Sequence, residues 1–315
     1  MNSQRNKFLA LSLASLVILS AVLLTLSREE DRLEIDPSLF AIAETEKIDE
    51  VRFVRAGDTV DLSFDGTRWK VNHQWDADVQ LIKVLMATLR QAQPHRPVAS
   101  VLLDTVNDRL ARKGTHVIVS AAGATQLDFI AGGNDSKSEA WFKKTGEEQP
   151  YSMIIPGYRV YVSGIFELGA SGWRNKRIFD FNWRNFKSLT ATYSREPKEG
   201  FSIEMKQRYF GIKGMEEADT TRLNDYLDAV SLLLAKRFVD RDHPKGDSLL
   251  RTGPVARLEI RDIADRIYGI ELFAPGKEDS EVLGRLLDGQ WVVFDRSEVP
   301  AIVRRRSFFL PEQPR

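Results

Sequence analysis

Two stretches of the chain decide how the rest is read. Residues 69–98 run WKVNHQWDADVQLIKVLMATLRQAQPHRPV, and residues 210–239 run FGIKGMEEADTTRLNDYLDAVSLLLAKRFV. Laid over each other without a gap, at a shift of 141 residues, they share Ala77 with Ala218, Asp78 with Asp219, Arg96 with Arg237 and Val98 with Val239. Trp69-Lys70-Val71 falls on Phe210-Gly211-Ile212, and Ile82, Met86 and Leu89 fall on Leu223, Leu227 and Val230. Ile82, Leu85, Met86 and Leu89 recur at 3- and 4-residue spacing, which predicts a helix over about 78–91 with one buried stripe. Asp76 is the expected N-cap. Asp78 and Asp219 are expected in the first turn, where a carboxylate is favoured by the helix dipole.

The pattern extends outward on both sides. Before the first helix stand Glu50 to Val54, Val60 to Phe64 and Trp69 to Val71, and the two longer runs alternate apolar and polar residues as a sheet with one wet face requires. Asp65-Gly66 is a hairpin turn between the second and third. After the helices come strand-like runs at 116–121, 126–130, 140–143 and 151–155, and again at 256–261, 267–273, 284–287 and 290–294. Val117 and Val119 match Leu258 and Ile260 at the same shift. Leu110 to Gly114 and Leu249 to Gly253 both look like helix ends with Gly at C′. Ala122-Gly123-Ala124, Gly132-Gly133-Asn134-Asp135 and Asp288-Gly289 supply turns. Each unit closes on a related run, Arg174 to Phe179 and Arg304 to Phe309. The expected fold is therefore α+β. It comprises two tandem related units, 29–184 and 185–315, each an antiparallel sheet with one long and one or two short helices.

Residues 1–28 read differently. Phe8 to Leu26 is uncharged, long enough to cross a bilayer core, preceded by Arg5 and Lys7 and followed by Glu29, Glu30 and Asp31. The charge order predicts a single-pass helix with the N-terminus cytoplasmic and the body outside, periplasmic in a bacterium. The rival reading is a cleaved signal peptide with a weak site at Thr25-Leu26-Ser27.

Composition removes some functions. The chain has 315 residues, 45 basic and 45 acidic, and no cysteine. Zero net charge gives no bulk attraction to nucleic acid. Without cysteine there is no thiol nucleophile, Cys-ligated metal or lipid-modified Cys. His73, His95, His116 and His243 form no metal-binding pair, so no metal and no cofactor are expected. Gly169-Ala170-Ser171-Gly172 lacks the nucleophile-elbow spacing, and Gly132 to Ser138 lacks that of a phosphate loop. Acidic residues sit at turns, caps and polar strand positions, and Asp240-Arg241-Asp242-His243 reads as a charged loop. What remains as a candidate partner-binding surface is Trp173, Arg174, Lys176 and Trp183, with Arg304, Arg305 and Arg306 at the equivalent end of the second unit. The expected activity is non-enzymatic binding of an envelope or transporter protein. The alternatives are a small-molecule or cell-wall glycan binder using boundary tryptophans and, third, a glycoside hydrolase.

Several of these pieces together resemble a bacterial family known as a domain of unknown function (number 4340). They are Leu39-Phe40-Ala41-Ile42 with Thr45 and Ile48-Asp49, Trp69 to Asn72 with the helix that follows, Pro150-Tyr151-Ser152-Met153-Ile154-Ile155-Pro156-Gly157-Tyr158, and Trp173-Arg174-Asn175-Lys176 with Ile178-Phe179. The resemblance covers about 38–185 well and the second unit more loosely. It implies a membrane-anchored extracytoplasmic protein, in some cases encoded near gliding-type transporter components. It brings no activity, cofactor or catalytic residue. Within it, Trp173, Ile178 and Phe179 are expected to bury, with Arg174 and Lys176 facing out.

Overall fold

The structure is a computed structural model and describes residues 13–21, 35–179, 181, 184–206, 209–239 and 246–311. Residues 13–21 are helical (α1) and exposed. No helix among the described residues is long and apolar enough to cross a membrane; most of the expected span 8–26 lies outside them, as do Trp183 and residues 240–243.

The fold is α+β, with two antiparallel sheets. The first begins with β1 (Glu50–Arg55), β2 (Asp58–Phe64), β3 (Trp69–Val71) and β4 (Trp75–Asp76). Helix α2 (Val79–Gln91), β5 (Gln93–Pro97) and α3 (Ser100–Lys113) follow. Then come β6 (Thr115–Ala121), β7 (Ala124–Gly133), β8 (Ala140–Lys144) and β9 (Tyr151–Ile154). Its strand order is β4-β3-β2-β1-β6-β7-β8-β9-β5. A short α4 (Ala170–Trp173) precedes the second sheet, built from β10 (Phe186–Tyr193), β11 (Phe201–Lys206), β12 (Tyr209–Ile212), α5 (Thr220–Ser231), β13 (Arg237–Val239), α6 (Gly246–Thr252), β14 (Ala256–Asp262), β15 (Ile267–Leu272), β16 (Glu281–Leu286) and β17 (Trp291–Asp295). Its order is β12-β11-β10-β14-β15-β16-β17-β13. With β4 set aside the two orders are the same. In both, the long helix leaves the third strand at one edge and delivers the chain to the opposite edge.

Local chemistry explains the turns and helix starts. Asp65 accepts the backbone N–H groups of Thr67 and Arg68 at 2.9 and 2.8 Å, and Gly66 takes φ +93° to close the β2–β3 hairpin. The cap of α2 is Asp78, which accepts from the N–H groups of Gln80 (2.8 Å) and Leu81 (3.2 Å). Asp219 does the same for Arg222 on α5, at 3.0 Å. Asp76, the expected cap, instead pairs with Lys70 in the short strand β4, because the chain stays extended for two residues longer than the apolar stripe suggests. Ile82, Leu85 and Leu89 are buried along α2, and Leu223, Tyr226, Leu227 and Val230 along α5. Each such side chain contributes about 1.5–3 kcal/mol of burial.

By contact density the chain divides into two compact units, 1–48 with 85–167 and 49–84 with 168–315. This partition differs from the linear one at 184/185. In the first unit Phe40, Phe129, Phe142 and Phe166 pack ring on ring, with centroids 4.8–5.8 Å apart. In the second, Phe201, Tyr226 and Phe309 form an edge-to-face trio at 4.9–5.6 Å.

Two glycine readings change. Gly132 and Gly133 are the last residues of β7, and the turn begins at Asn134. A Cβ at Gly132 would meet Leu110 at 2.7 Å, and one at Gly133 would meet Tyr161 at 2.4 Å. They are glycines because other parts of the chain approach closely. Gly114 has φ −67° and needs no left-handed freedom, but its Cβ would lie 2.3 Å from the Leu110 carbonyl oxygen and 2.6 Å from Ile130. Gly253, at the equivalent helix end, does take φ +76°. Gly114→Ala is therefore expected to cost about 2 kcal/mol of unfolding free energy through overpacking against fixed backbone, read as a lower urea midpoint at unchanged slope.

Candidate functional site

The residues that sequence reading singled out for a partner serve the interior first. The segment from Trp173 to Ile178 is a strap, hydrogen-bonded on both flanks within the second compact unit. On one flank Asp78 N–H donates to Trp173 O and Asn175 N–H to Asp76 O, both at 2.8 Å, and Ala77 bridges Arg174. On the other, Ala235 N–H donates to Lys176 O at 2.7 Å, Ile178 N–H to Leu233 O at 3.0 Å, and Arg177 bridges Leu234. Trp173 is fully buried and stacks on Phe53, with centroids 5.5 Å apart and planes 5° from parallel.

Arg174, expected to face out, is only 7% exposed. Its guanidinium carbon lies 4.3 Å from the Trp75 ring centre and 3.7 Å from that of Phe238, so the cation is held between two aromatic faces. It donates to Gln290 Oε1 at 3.3 Å. Burial pulls its pKa down to about 10, against a raising influence from Asp288, so it is still charged at neutral pH. Sequence reading missed this because arginine is almost never buried unless paired, and its partners come from distant parts of the chain. Lys176 is half-buried.

The run Arg304 to Arg306 is likewise engaged. Arg304 lies over the Phe308 ring at 4.6 Å, Arg305 pairs with Glu196 at 2.7 Å, and Arg306 donates to the carbonyls of Lys213 (3.2 Å) and Gly214 (2.6 Å). Arg305 and Arg306 fasten this segment to turns of the second sheet, and Arg304 packs locally on Phe308. The structure brings Trp173, Arg174 and Lys176 together in the strap and gives Arg304 to Arg306 separate partners of their own.

The strap forms one wall of an open groove of about 550 Å³, all of whose lining residues belong to the second compact unit. The volume falls in the ligand-pocket range of about 300–1,000 Å³. Its apolar lining is Phe64, Trp69, Val79, Ile82 and Leu234, and its polar lining includes Arg68, Asp76, Asn175 and Arg177. Phe64, Val79 and Leu234 are 43, 62 and 51% exposed although apolar. The Phe64 and Trp69 rings sit 5.8 Å apart, tilted by 42°. On the rim, Lys70 Nζ donates to Asp76 Oδ1 at 2.5 Å and Arg68 to Oδ2 at 3.0 Å. Partial burial raises the Asp76 pKa, but these two donors outweigh it and hold the carboxyl below its ordinary value. Sequence reading did not assemble this groove, since its residues are scattered over 64–82, 175–177 and 234.

A second polar cluster lies in the first compact unit. His116 Nε2 is 2.6 Å from Asp128 Oδ1 and 3.3 Å from Thr145 Oγ1, and Thr145 donates to the same carboxylate oxygen. A catalytic relay needs hydroxyl and carboxylate on opposite ring nitrogens. Here both sit at one nitrogen, so the cluster is a cross-strand tie on a wet sheet face. No group of three or more His, Asp or Glu able to hold a metal occurs among the described residues.

Two outcomes are expected. Arg174→Ala loses about 2–3 kcal/mol in urea unfolding by removing a desolvated cation–π sandwich, while Arg174→Met, which keeps bulk between the rings without a buried charge, loses under about 1 kcal/mol. For Asp76, whose folded pKa is depressed, the stability it contributes is present above about pH 4 and is lost as pH falls through its folded value. The Asp76→Asn variant should show a flatter acid limb than the parent in thermal melts from about pH 6 down to pH 2. Compared with protein-family models, with curated proteins and with solved structures, the chain finds no match in any of the three.

Proposed function

We propose that this protein is a non-enzymatic binding module, anchored in the cytoplasmic membrane by residues 8–26 with its body on the periplasmic side, and that a segment of an envelope or transporter protein docks in the groove beside the strap. The observation that carries the reading is the groove itself, whose lining includes the exposed apolar side chains Phe64, Val79 and Leu234 together with charged residues. Clustered exposed apolar side chains mark interaction sites, whereas scattered ones do not. The anchor rests on the uncharged run from Phe8 to Leu26 and its flanking charges. The resemblance of the IPGY turn and the WRNK run to the 4340 family supports the same placement. In this reading the two sheets are related units of one duplicated design, as their common strand order suggests.

The groove's carboxylates do not suit hydrolysis. Asp76 is held ionised by two cations, and Asp78 is committed to the backbone of α2. A general acid needs a raised pKa. The second reading is a small-molecule or cell-wall glycan site, favoured by the Trp69 and Phe64 rings, which offer an aromatic face to a sugar.

A photo-reactive amino acid placed at Val79 is expected to crosslink a discrete envelope protein in intact membranes, and one placed at Arg112 on α3 is not. Repeated recovery of the protein uncrosslinked from both positions overturns the partner reading. Replacement of residues 1–28 by a cleavable export signal is expected to move the body from the membrane to the soluble periplasmic fraction, and an unchanged membrane fraction overturns the anchor.

A further inference from the structure

We propose that the groove binds an acidic–apolar peptide, a short segment whose apolar side chains meet the apolar lining while a carboxylate meets Arg177 on the rim. This deepens the binding-module reading and rests on it. The apolar lining is contributed by the end of β2 (Phe64), the start of β3 (Trp69), the first turn of α2 (Val79, Ile82) and Leu234, beyond the end of α5. An open groove whose apolar side chains come from four separate elements offers several apolar contacts at once, which suits a chain segment with more than one apolar side chain.

The rim decides the charge of the occupant. Four charged side chains line the groove: Arg68, Asp76, Asp78 and Arg177. The Asp78 carboxylate is turned to the N–H groups of Gln80 and Leu81. Asp76 is shared between Lys70 and Arg68. Lys70 also pairs with Asp65 at 3.9 Å, so Lys70 and Arg68 are matched by Asp76 and Asp65. The exposed guanidinium of Arg177, which lines the groove, makes no ion pair among the described residues. Arg177 is nonetheless held in place through its backbone, whose N–H donates to Asn175 Oδ1 at 3.0 Å and which bridges Leu234. Arg177 is therefore the uncompensated cation of the lining, on a fixed strap, and charge complementarity at that point calls for an anionic group on the partner. Bidentate pairing with guanidinium favours a carboxylate.

The test uses the full-length protein in detergent micelles and fluorescence anisotropy of two dye-labelled probes, a leucine–glutamate peptide and its leucine–lysine counterpart. The leucine–glutamate probe is expected to bind saturably and about tenfold tighter than the other. Arg177→Glu should weaken it about tenfold and Arg177→Gln less, while Leu234→Ser and Val79→Ser weaken both probes. Thermal melts establish that each variant is folded, and Arg112→Glu, on α3, serves as the distant charge control. Equal affinity for the two peptides, indifference to both Arg177 variants, or displacement of the acidic peptide by phosphatidylglycerol vesicles or a cell-wall disaccharide overturns the proposal. If the peptide preference fails while Val79 still crosslinks an envelope protein, the binding module survives and only its ligand class falls. If both fail, the module reading falls with it.

Discussion

The second compact unit depends on a positive charge placed where water cannot reach it. Desolvating a guanidinium costs several kcal/mol, and the pKa of Arg174, lowered to about 10, records that cost. What offsets it is the pair of ring faces of Trp75 and Phe238 and the single hydrogen bond to Gln290. The Nε groups of Arg174 and Nε1 of Trp173 have no hydrogen-bond partner among the described residues. Stacking, more than side-chain hydrogen bonding, therefore holds these two side chains, while the backbone of the strap is hydrogen-bonded, and stacking is sensitive to shape. Lysine could keep the charge but not the flat contact between two rings.

From this constraint the groove follows. With Arg174 and Trp173 pinned inward, Asn175 and Arg177 are left on the outer face of the strap, beside Leu234. Backbone hydrogen bonds to 76, 78, 233 and 235 fix their spacing. The opposite wall is the β2–β3 hairpin and the start of α2, positioned by Asp65 and Asp78 through local backbone bonds. A site built on ordered elements presents its side chains with little loss of freedom on binding, which favours affinity.

Features governed by neighbours in the chain were readable from residue order. The hairpin at Asp65-Gly66, the aspartates at the starts of α2 and α5, and the turn at Pro156-Gly157, where Gly157 takes φ +81°, all express chemistry within four residues. The buried stripes of the two long helices were equally legible, since a period of 3.6 is a local signal. Features governed by distant contacts were not. Gly132 and Gly133 looked like a turn because Leu110 and Tyr161, which forbid a side chain there, lie outside any local window. Arg174 looked like a surface residue because nothing beside it announces Trp75 or Phe238. Asp76 looked like a cap because its true partners, Lys70 on β3 and Arg68 in the turn before that strand, precede it in the chain. Of the groove, Trp69, Asp76, Asp78, Ile82 and the strap were each marked in the residue order, but for fold roles and not as parts of one site.

The edge-to-edge run of the long helix has one more consequence, for what the sheets do when they meet each other in a crowded compartment. It places β5 at the outer margin of the first sheet, with one side paired to β9 and the other open. That strand is Gln93-Pro94-His95-Arg96-Pro97, and neither proline has an N–H to offer a neighbouring chain. The equivalent margin of the second sheet is β13, three residues long, with Arg237 paired to Glu281. Both are poor templates for another strand. The strand at this edge of each sheet thus also protects it against indefinite growth, and a mutation replacing Pro94 and Pro97 with β-formers would open the first sheet to polymerisation while leaving its core untouched.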